Sequence, residues 1–180
     1  MGRLLIKIMQ KGWLRLEEES FLTRLLMLRH LQKYGLLSTL RQHSPAPYRA
    51  IWALIGGQDR YAFYIPKRPH IQELSLNPLG LSALLWLLKA GYAILSANAD
   101  GGGLSIAITD NLNLQVRGSE DFGLLSEVLV EKVYGSSFPG YRILDIGAYV
   151  GETTLFFAAF GAEKVIAAEP APDNYALASQ

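Results

Sequence analysis

Apolar positions in this chain change their spacing several times, and each change marks an element. Residues 21–33 are dense in leucine, carry Arg29, His30 and Lys33 near their end, and are followed by Gly35. The acids Glu17-Glu18-Glu19 stand before them. Acid first, base last and glycine beyond is the charge order of a helix dipole with its stop. The leucines lie on more than one side, which predicts a helix packed between other elements. A loop is expected at Ser44-Pro45-Ala46-Pro47, then a short apolar stretch through Ile55, broken by Gly56-Gly57. Residues 61–65 predict a strand stopped by Pro66 and Pro69. Residues 79–89 predict a buried helix ending at Gly91.

Past Asp100-Gly101-Gly102-Gly103 the period becomes two. Leu104, Ile106 and Ile108 alternate with smaller or polar residues, and Leu112, Leu114 and Val116 repeat this across Thr109-Asp110-Asn111. Two such runs around a three-residue turn predict a hairpin. Ser119-Glu120-Asp121 is expected to cap a helix that buries Phe122, Leu125 and Leu129 and closes at Gly135. A loop spans residues 136–140.

From Arg142 the pattern changes again. Ile143, Leu144 and Ile146 predict a short buried strand, and Gly147 and Gly151 bracket a tight turn. Residues 152–160 read as an apolar helix ended by Gly161, and residues 164–168 as a second strand finishing in Glu169-Pro170. Strand, glycine loop, helix and strand make one βαβ unit. A glycine at a strand end admits a ligand to the backbone, and the helix N-terminus adds positive dipole beside it. Glu169 follows Gly147 by 22 residues. There, a carboxylate can accept both hydroxyls of a ribose. The expected fold class is α/β: an incomplete Rossmann-like unit at the C-terminal end, preceded by a β-hairpin and a mostly helical N-terminal region. The expected division is residues 1–100 against residues 104–180, joined through Gly101–Gly103.

Charge refines this picture. The chain of 180 residues carries 17 Lys and Arg against 16 Asp and Glu, a net of +1. Residues 1–50 nevertheless sum to +6 and residues 101–180 to −6. A binder driven by bulk attraction to nucleic acid is far more basic, so no nucleic-acid partner is expected. Half of the residues are hydrophobic, which excludes a disordered chain. There is no cysteine and only His30, His43 and His70, so no metal centre is expected. Residues 1–16 alternate apolar residues with Arg3, Lys7, Lys11 and Arg15, unlike a signal peptide. Residues 74–88 are too short and too interrupted to span a bilayer. The expected location is cytoplasmic, without a transmembrane segment. Weak contact of the basic front with a membrane surface is a secondary expectation.

The loop composition narrows the ligand. A dinucleotide fingerprint needs glycine at 147, 149 and 152, where Tyr149 and Glu152 occupy the last two places. Asp145 and Glu152 around the loop suit a ligand with a cationic group rather than phosphates. No Gly-Lys-Ser/Thr is present, which excludes a P-loop. The run Asp-Ile-Gly-Ala-Tyr-Val-Gly-Glu-Thr-Thr (145–154), then Gly-Ala-Glu-Lys-Val-Ile-Ala-Ala-Glu-Pro-Ala-Pro-Asp-Asn-Tyr (161–175), resembles the FkbM-type family of S-adenosylmethionine-dependent methyltransferases. Residues 120–141, with Glu127 and Tyr134-Gly135, are similar to that family's lead-in helix. Tyr149 stands where asparagine is commoner. The resemblance covers about residues 104–180.

That resemblance implies a class I methyltransferase domain, S-adenosylmethionine as cofactor and a small-molecule methyl acceptor, with O-methyl transfer to a small molecule or sugar. It implies that Gly147, Ala148 and Gly151 floor the methionine part of the cofactor and that Asp145 lies near its amino end. Glu152 and Thr153 would line the helix start, and Glu169 would hold the ribose. An alternative role for Asp145 is to cap the following helix. No catalytic residue is implied. A doubly wound sheet needs more strands than follow Ala168 here, so the expectation is a portion or truncated form of a longer enzyme, inactive alone. Two other readings stay open: a nucleotide-dependent oxidoreductase with a degenerate fingerprint, and a non-enzymatic interaction protein.

Overall fold

Gly35 explains how the N-terminal helices begin to pack. In the computed structural model, which describes residues 21–65, 70–97, 104–109 and 112–179, α1 (Phe21–Lys33) ends where the chain turns through Gly35 at φ 70°. A left-handed backbone there is cheap only for glycine. The chain then enters α2 (Leu36–His43), a helix that the leucine pattern did not separate from its surroundings. Pro47 starts α3 (Pro47–Gly56), so the apolar stretch through Ile55 is helical. The buried Arg24 guanidinium of α1 donates to the Leu54 carbonyl at 3.0 Å and pairs with Asp59 at 3.3 Å, which fastens α1 to the end of α3. The basic start at residues 1–16, the acids at 17–19, Pro66, Pro69, the glycines at 101–103 and the turn residues 110–111 lie outside the described residues.

The expected strand at residues 61–65 is β1 (Arg60–Ile65), which pairs antiparallel with β2 (His70–Ser75). Tyr61, Phe63 and Ile65 alternate inward and are buried. The buried helix at residues 79–89 is α4 (Pro78–Lys89), capped by the Asn77 side chain, which accepts the Gly80 N–H at 2.8 Å. It runs through the middle of the core, with Leu81, Leu84, Leu85 and Leu87 fully enclosed.

The expected hairpin is present as β4 (Leu104–Thr109) and β5 (Leu112–Val116). A further strand, β3 (Ala93–Ala97), pairs antiparallel with β4, so the segments on either side of residues 98–103 share one three-stranded sheet. Next comes α5 (Ser119–Leu129), which buries Phe122, Leu125 and Leu129 as expected. It stops at Val130, short of Gly135. Its start also differs: Gly118 is the cap position and offers no side chain. Ser119 Oγ is turned to the Asn77 N–H at 2.9 Å, and the Asp121 carboxylate accepts the Arg117 N–H at 2.8 Å.

The C-terminal unit follows the predicted order: β6 (Arg142–Ile146), α6 (Glu152–Ala159), β7 (Lys164–Ala168) and α7 (Pro172–Ala178). The strands β6 and β7 are parallel and adjacent, paired from Arg142 with Lys164 to Ile146 with Ala168. Phe156 and Phe157 of α6 join the same core as Ile106 and Leu114 of the three-stranded sheet. Phe138 packs edge-on against both rings, and its N–H bonds the Phe160 carbonyl at 2.9 Å, which seats the lead-in loop on α6. One expectation is corrected. The β6 strand is not buried on both faces: Leu144 is 62% and Ile146 77% exposed. Ile143 and Val165 face the core, with Asp145 on the same side as Ile143, and side chains in strands alternate, so Leu144, Ile146 and Ile166 face away from α6. Among the described residues the chain is mixed α/β, with seven helices and three small sheets.

Candidate functional site

The loop from Gly147 to Gly151 joins β6 to α6, and its own hydrogen bonds set its shape. The Gly147 and Ala148 N–H groups both donate to the Ala168 carbonyl, at 2.7 and 3.2 Å, and Gly151 N–H donates to the Ala148 carbonyl at 2.8 Å. Gly147 has φ 78° and Gly151 φ 92°. A Cβ at Gly147 meets no atom within 4 Å, so the positive φ is what requires glycine there, and the space above its backbone is open. At Gly151 a Cβ would lie 3.5 Å from the Ala178 Cβ of α7. Tyr149 has φ 50°, a left-handed backbone that asparagine tolerates better than tyrosine. The Ala148 side chain is buried beneath the loop.

Glu169, at the end of β7, folds back onto this loop. Its Oε2 accepts the Tyr149 N–H at 2.8 Å, and its Oε1 accepts the Ala171 N–H at 2.9 Å and the Asn174 amide at 3.5 Å. The Ala171 N–H, with those of Tyr149 and Asn174, holds this carboxyl below the ordinary carboxylate range against an opposing loss of hydration. A carboxylate offers about four lone-pair sites, so Oε2 keeps one open.

The other two acids behave differently. Asp145 Oδ2 accepts the hydroxyls of Thr153 and Thr154, each at 2.6 Å. Asp145 thus braces the first turn of α6 through hydroxyls, close to the capping role open to it. Glu152, the first residue of α6, is 7% exposed, and its Oε2 has no hydrogen-bond partner. Burial pushes its carboxyl up to about 7, helped by the charges of Asp121 and Asp145 and opposed by its own N–H and that of Val150. A buried carboxyl beside two acids holds its proton near neutrality.

The seven residues expected from the sequence therefore lie together around one turn: Asp145, Gly147, Ala148, Gly151, Glu152, Thr153 and Glu169. Their polar groups bond mainly their immediate neighbours at the turn: Ala168, Tyr149, Thr154, Ala171 and Asn174. A cleft of about 410 Å³ opens beside them, lined by Arg117, Gly118, Ser119, Asp121, Tyr149 and Asn174. None of the seven lines it. The Arg117 guanidinium lies 4.9 Å from the centre of the Tyr149 ring, and each of its nitrogens already donates, to Asp121 at 3.3 and 3.4 Å and to Asn174 at 2.9 Å. Asn174 belongs to the Glu-Pro-Ala-Pro-Asp-Asn-Tyr run and was visible there as motif. Arg117 has a local partner in Asp121 four positions on, but its contact with Asn174, 57 positions away, left no signal in the sequence.

No group of His, Asp and Glu able to hold a metal occurs among the described residues, and no described helix is long and apolar enough to cross a membrane. Compared with models of protein families, with curated proteins and with solved structures, the chain matches none.

Proposed function

We propose that this chain carries the cofactor-binding part of an S-adenosylmethionine-dependent methyltransferase, built on a Rossmann-like unit. The observation that supports it most is the return of Glu169 from the end of β7 to the glycine loop, at 2.8 Å from the Tyr149 nitrogen. An acid at the end of the second parallel strand, beside a glycine turn at the end of the first, suits a nucleoside without phosphates. The residues fit that ligand. The backbone of Gly147 is open on its outer side, and Glu169 keeps an acceptor site on Oε2 for a ribose hydroxyl. Gripping both hydroxyls requires release of the long Asn174 bond.

Asp145 and Thr153 would then act through each other, holding the turn on which the methionine part rests. Glu152, neutral and buried, would support that turn from beneath. When bound, the cofactor supplies a methyl group on a sulfonium, which an oxygen of a small molecule or sugar would take. Dinucleotides are disfavoured by the same features. The Asp145 and Glu169 carboxylates at the turn repel a pyrophosphate, and Arg117 in the cleft is already engaged.

Amide spectra of the isotope-labelled protein, titrated with S-adenosylhomocysteine and separately with NAD, test the reading even at weak affinity. Saturable shifts at Gly147, Ala148, Gly151 and residues 169–171 with the first ligand alone are expected. Unmoved amides at those positions, or equal shifts with NAD, overturn it.

A further inference from the structure

From residue 21 to residue 58 the chain contains Arg24, Arg29, Lys33, Arg41 and Arg49 and not one Asp or Glu. This stretch forms α1, α2 and α3. Burial lowers the His30 and His43 imidazoles, the first also through Lys33, so the positive charge is that of arginine and lysine.

The outer faces of α1 and α3 combine that charge with apolar side chains. In α3, Tyr48 is 69% and Trp52 71% exposed. They stand one turn apart, about 40° around a helix that advances about 100° per residue, with Arg49 exposed beside them. The buried residues Ala50, Ala53 and Leu54 occupy the opposite side. In α1, Phe21 is 63% and Leu26 57% exposed, next to exposed Leu25, Arg29 and Lys33, while Arg24 and Leu31 turn inward. The two helices are tied together by the Arg24–Leu54 bond.

We propose that the outer faces of α1 and α3 dock this protein on an anionic membrane surface, with Trp52 and Tyr48 at headgroup level and Arg29, Lys33 and Arg49 against lipid phosphates. Aromatic residues with a polar tip favour the headgroup boundary, and each nearby Lys or Arg adds attraction to an anionic leaflet. Exposed Phe21 and Leu26 gain by entering the acyl boundary and gain nothing against a nucleic-acid backbone. A second copy presenting the same face would set the arginines and lysine of residues 21–58 against one another, and that stretch has no acid of its own to pair them.

The test is co-sedimentation of the full chain with vesicles of phosphatidylcholine alone, and of phosphatidylcholine with phosphatidylglycerol, at low and high salt. Two double variants are compared, Tyr48→Ser with Trp52→Ser and Arg29→Gln with Arg49→Gln. All four sites are exposed, so circular dichroism and melting should match the parent protein. Expected is binding to phosphatidylglycerol vesicles only, weakened by salt and at least about tenfold weaker in each double variant. No binding at low salt overturns the proposal. Binding that both double variants retain in full also overturns it, because other residues then make the contact. So does preferential binding to a duplex oligonucleotide, or salt-dependent self-association that the same variants abolish without any vesicle binding.

Discussion

The Glu169 carboxylate accepts the backbone N–H of Tyr149 at 2.8 Å, so the end of one parallel strand holds the turn that leaves the other. Tyr149 needs such a hold. Its φ of 50° is unfavourable for a side chain with a Cβ, and such conformations persist only where neighbours over-determine them. Arg117 over the ring and Glu169 on the nitrogen do so from two sides.

Glu169→Gln therefore loosens the loop. The amide keeps one acceptor but points a donor at either the Tyr149 or the Ala171 N–H. Expected are a melting temperature lower by a few degrees and faster hydrogen exchange at Tyr149. In the parent the carboxyl is held low, so its stabilisation is present above the ordinary carboxylate value and fades as pH falls through the lowered one. The variant should lack that acid-side loss. Unchanged melting and exchange would remove Glu169 from the loop's support.

Glu152 runs in the opposite direction. Its carboxyl is raised from the ordinary 4.5 to about 7, so the folded protein holds a proton that the unfolded chain has released. Stability from this residue is complete at pH 4.5 and below, and declines as pH rises to about 7. At about 1.4 kcal/mol for each tenfold change in proton affinity, the loss is at most about 3–4 kcal/mol. Glu152→Gln keeps the neutral shape, so it should match the parent near pH 5 and exceed it in melting temperature at pH 8. Parallel melting curves at both pH values would contradict this.

Gly80 tests how closely α4 and α5 approach. A Cβ there would lie 2.5 Å from the Ser119 side chain and 2.8 Å from its Cα. Gly80→Ala is helix-favouring by propensity yet should cost about 1–3 kcal/mol, because the two helices must move apart and strain the Asn77–Ser119 bond. Chemical denaturation reads this directly, and a stabilised variant would show the crossing to be loose.

Phe156 joins the C-terminal unit to the rest. It is fully buried, and its ring lies 5.7 Å from that of Phe138 and 4.6 Å from that of Phe160. Phe156→Ala should cost about 3–5 kcal/mol. Since α6 shares one core with β4 and β5, unfolding should stay a single transition. Separate melting of residues 142–179 would mean that the core is divided.

Residues 142–169 could be read as strand, turn, helix and strand because each feature depends on neighbours only a few positions apart. Apolar runs, Gly147 at the strand end and Gly151 before the helix are local facts, and β6, α6 and β7 follow them almost residue for residue. The hairpin of β4 and β5 was legible for the same reason. The helix α2 and the strands β2 and β3 were not. Their patterns are short and ambiguous, and β3 becomes a strand by pairing with β4 across residues 98–103.

The sequence by itself determined which residues gather at the turn and that acids surround it. Tertiary structure alone decided what each acid does. Glu169 grips a backbone N–H 20 positions earlier, Asp145 takes two threonine hydroxyls, and Glu152 is shut away from water beside Asp121. Arg117 and Asn174 meet across 57 positions to make one wall of the cleft. Residue type sets what a carboxylate can accept. Whether it meets an N–H, a hydroxyl or another acid depends on how distant segments pack, and that packing is driven by a leucine and phenylalanine core that is indifferent to the polar partners it brings together.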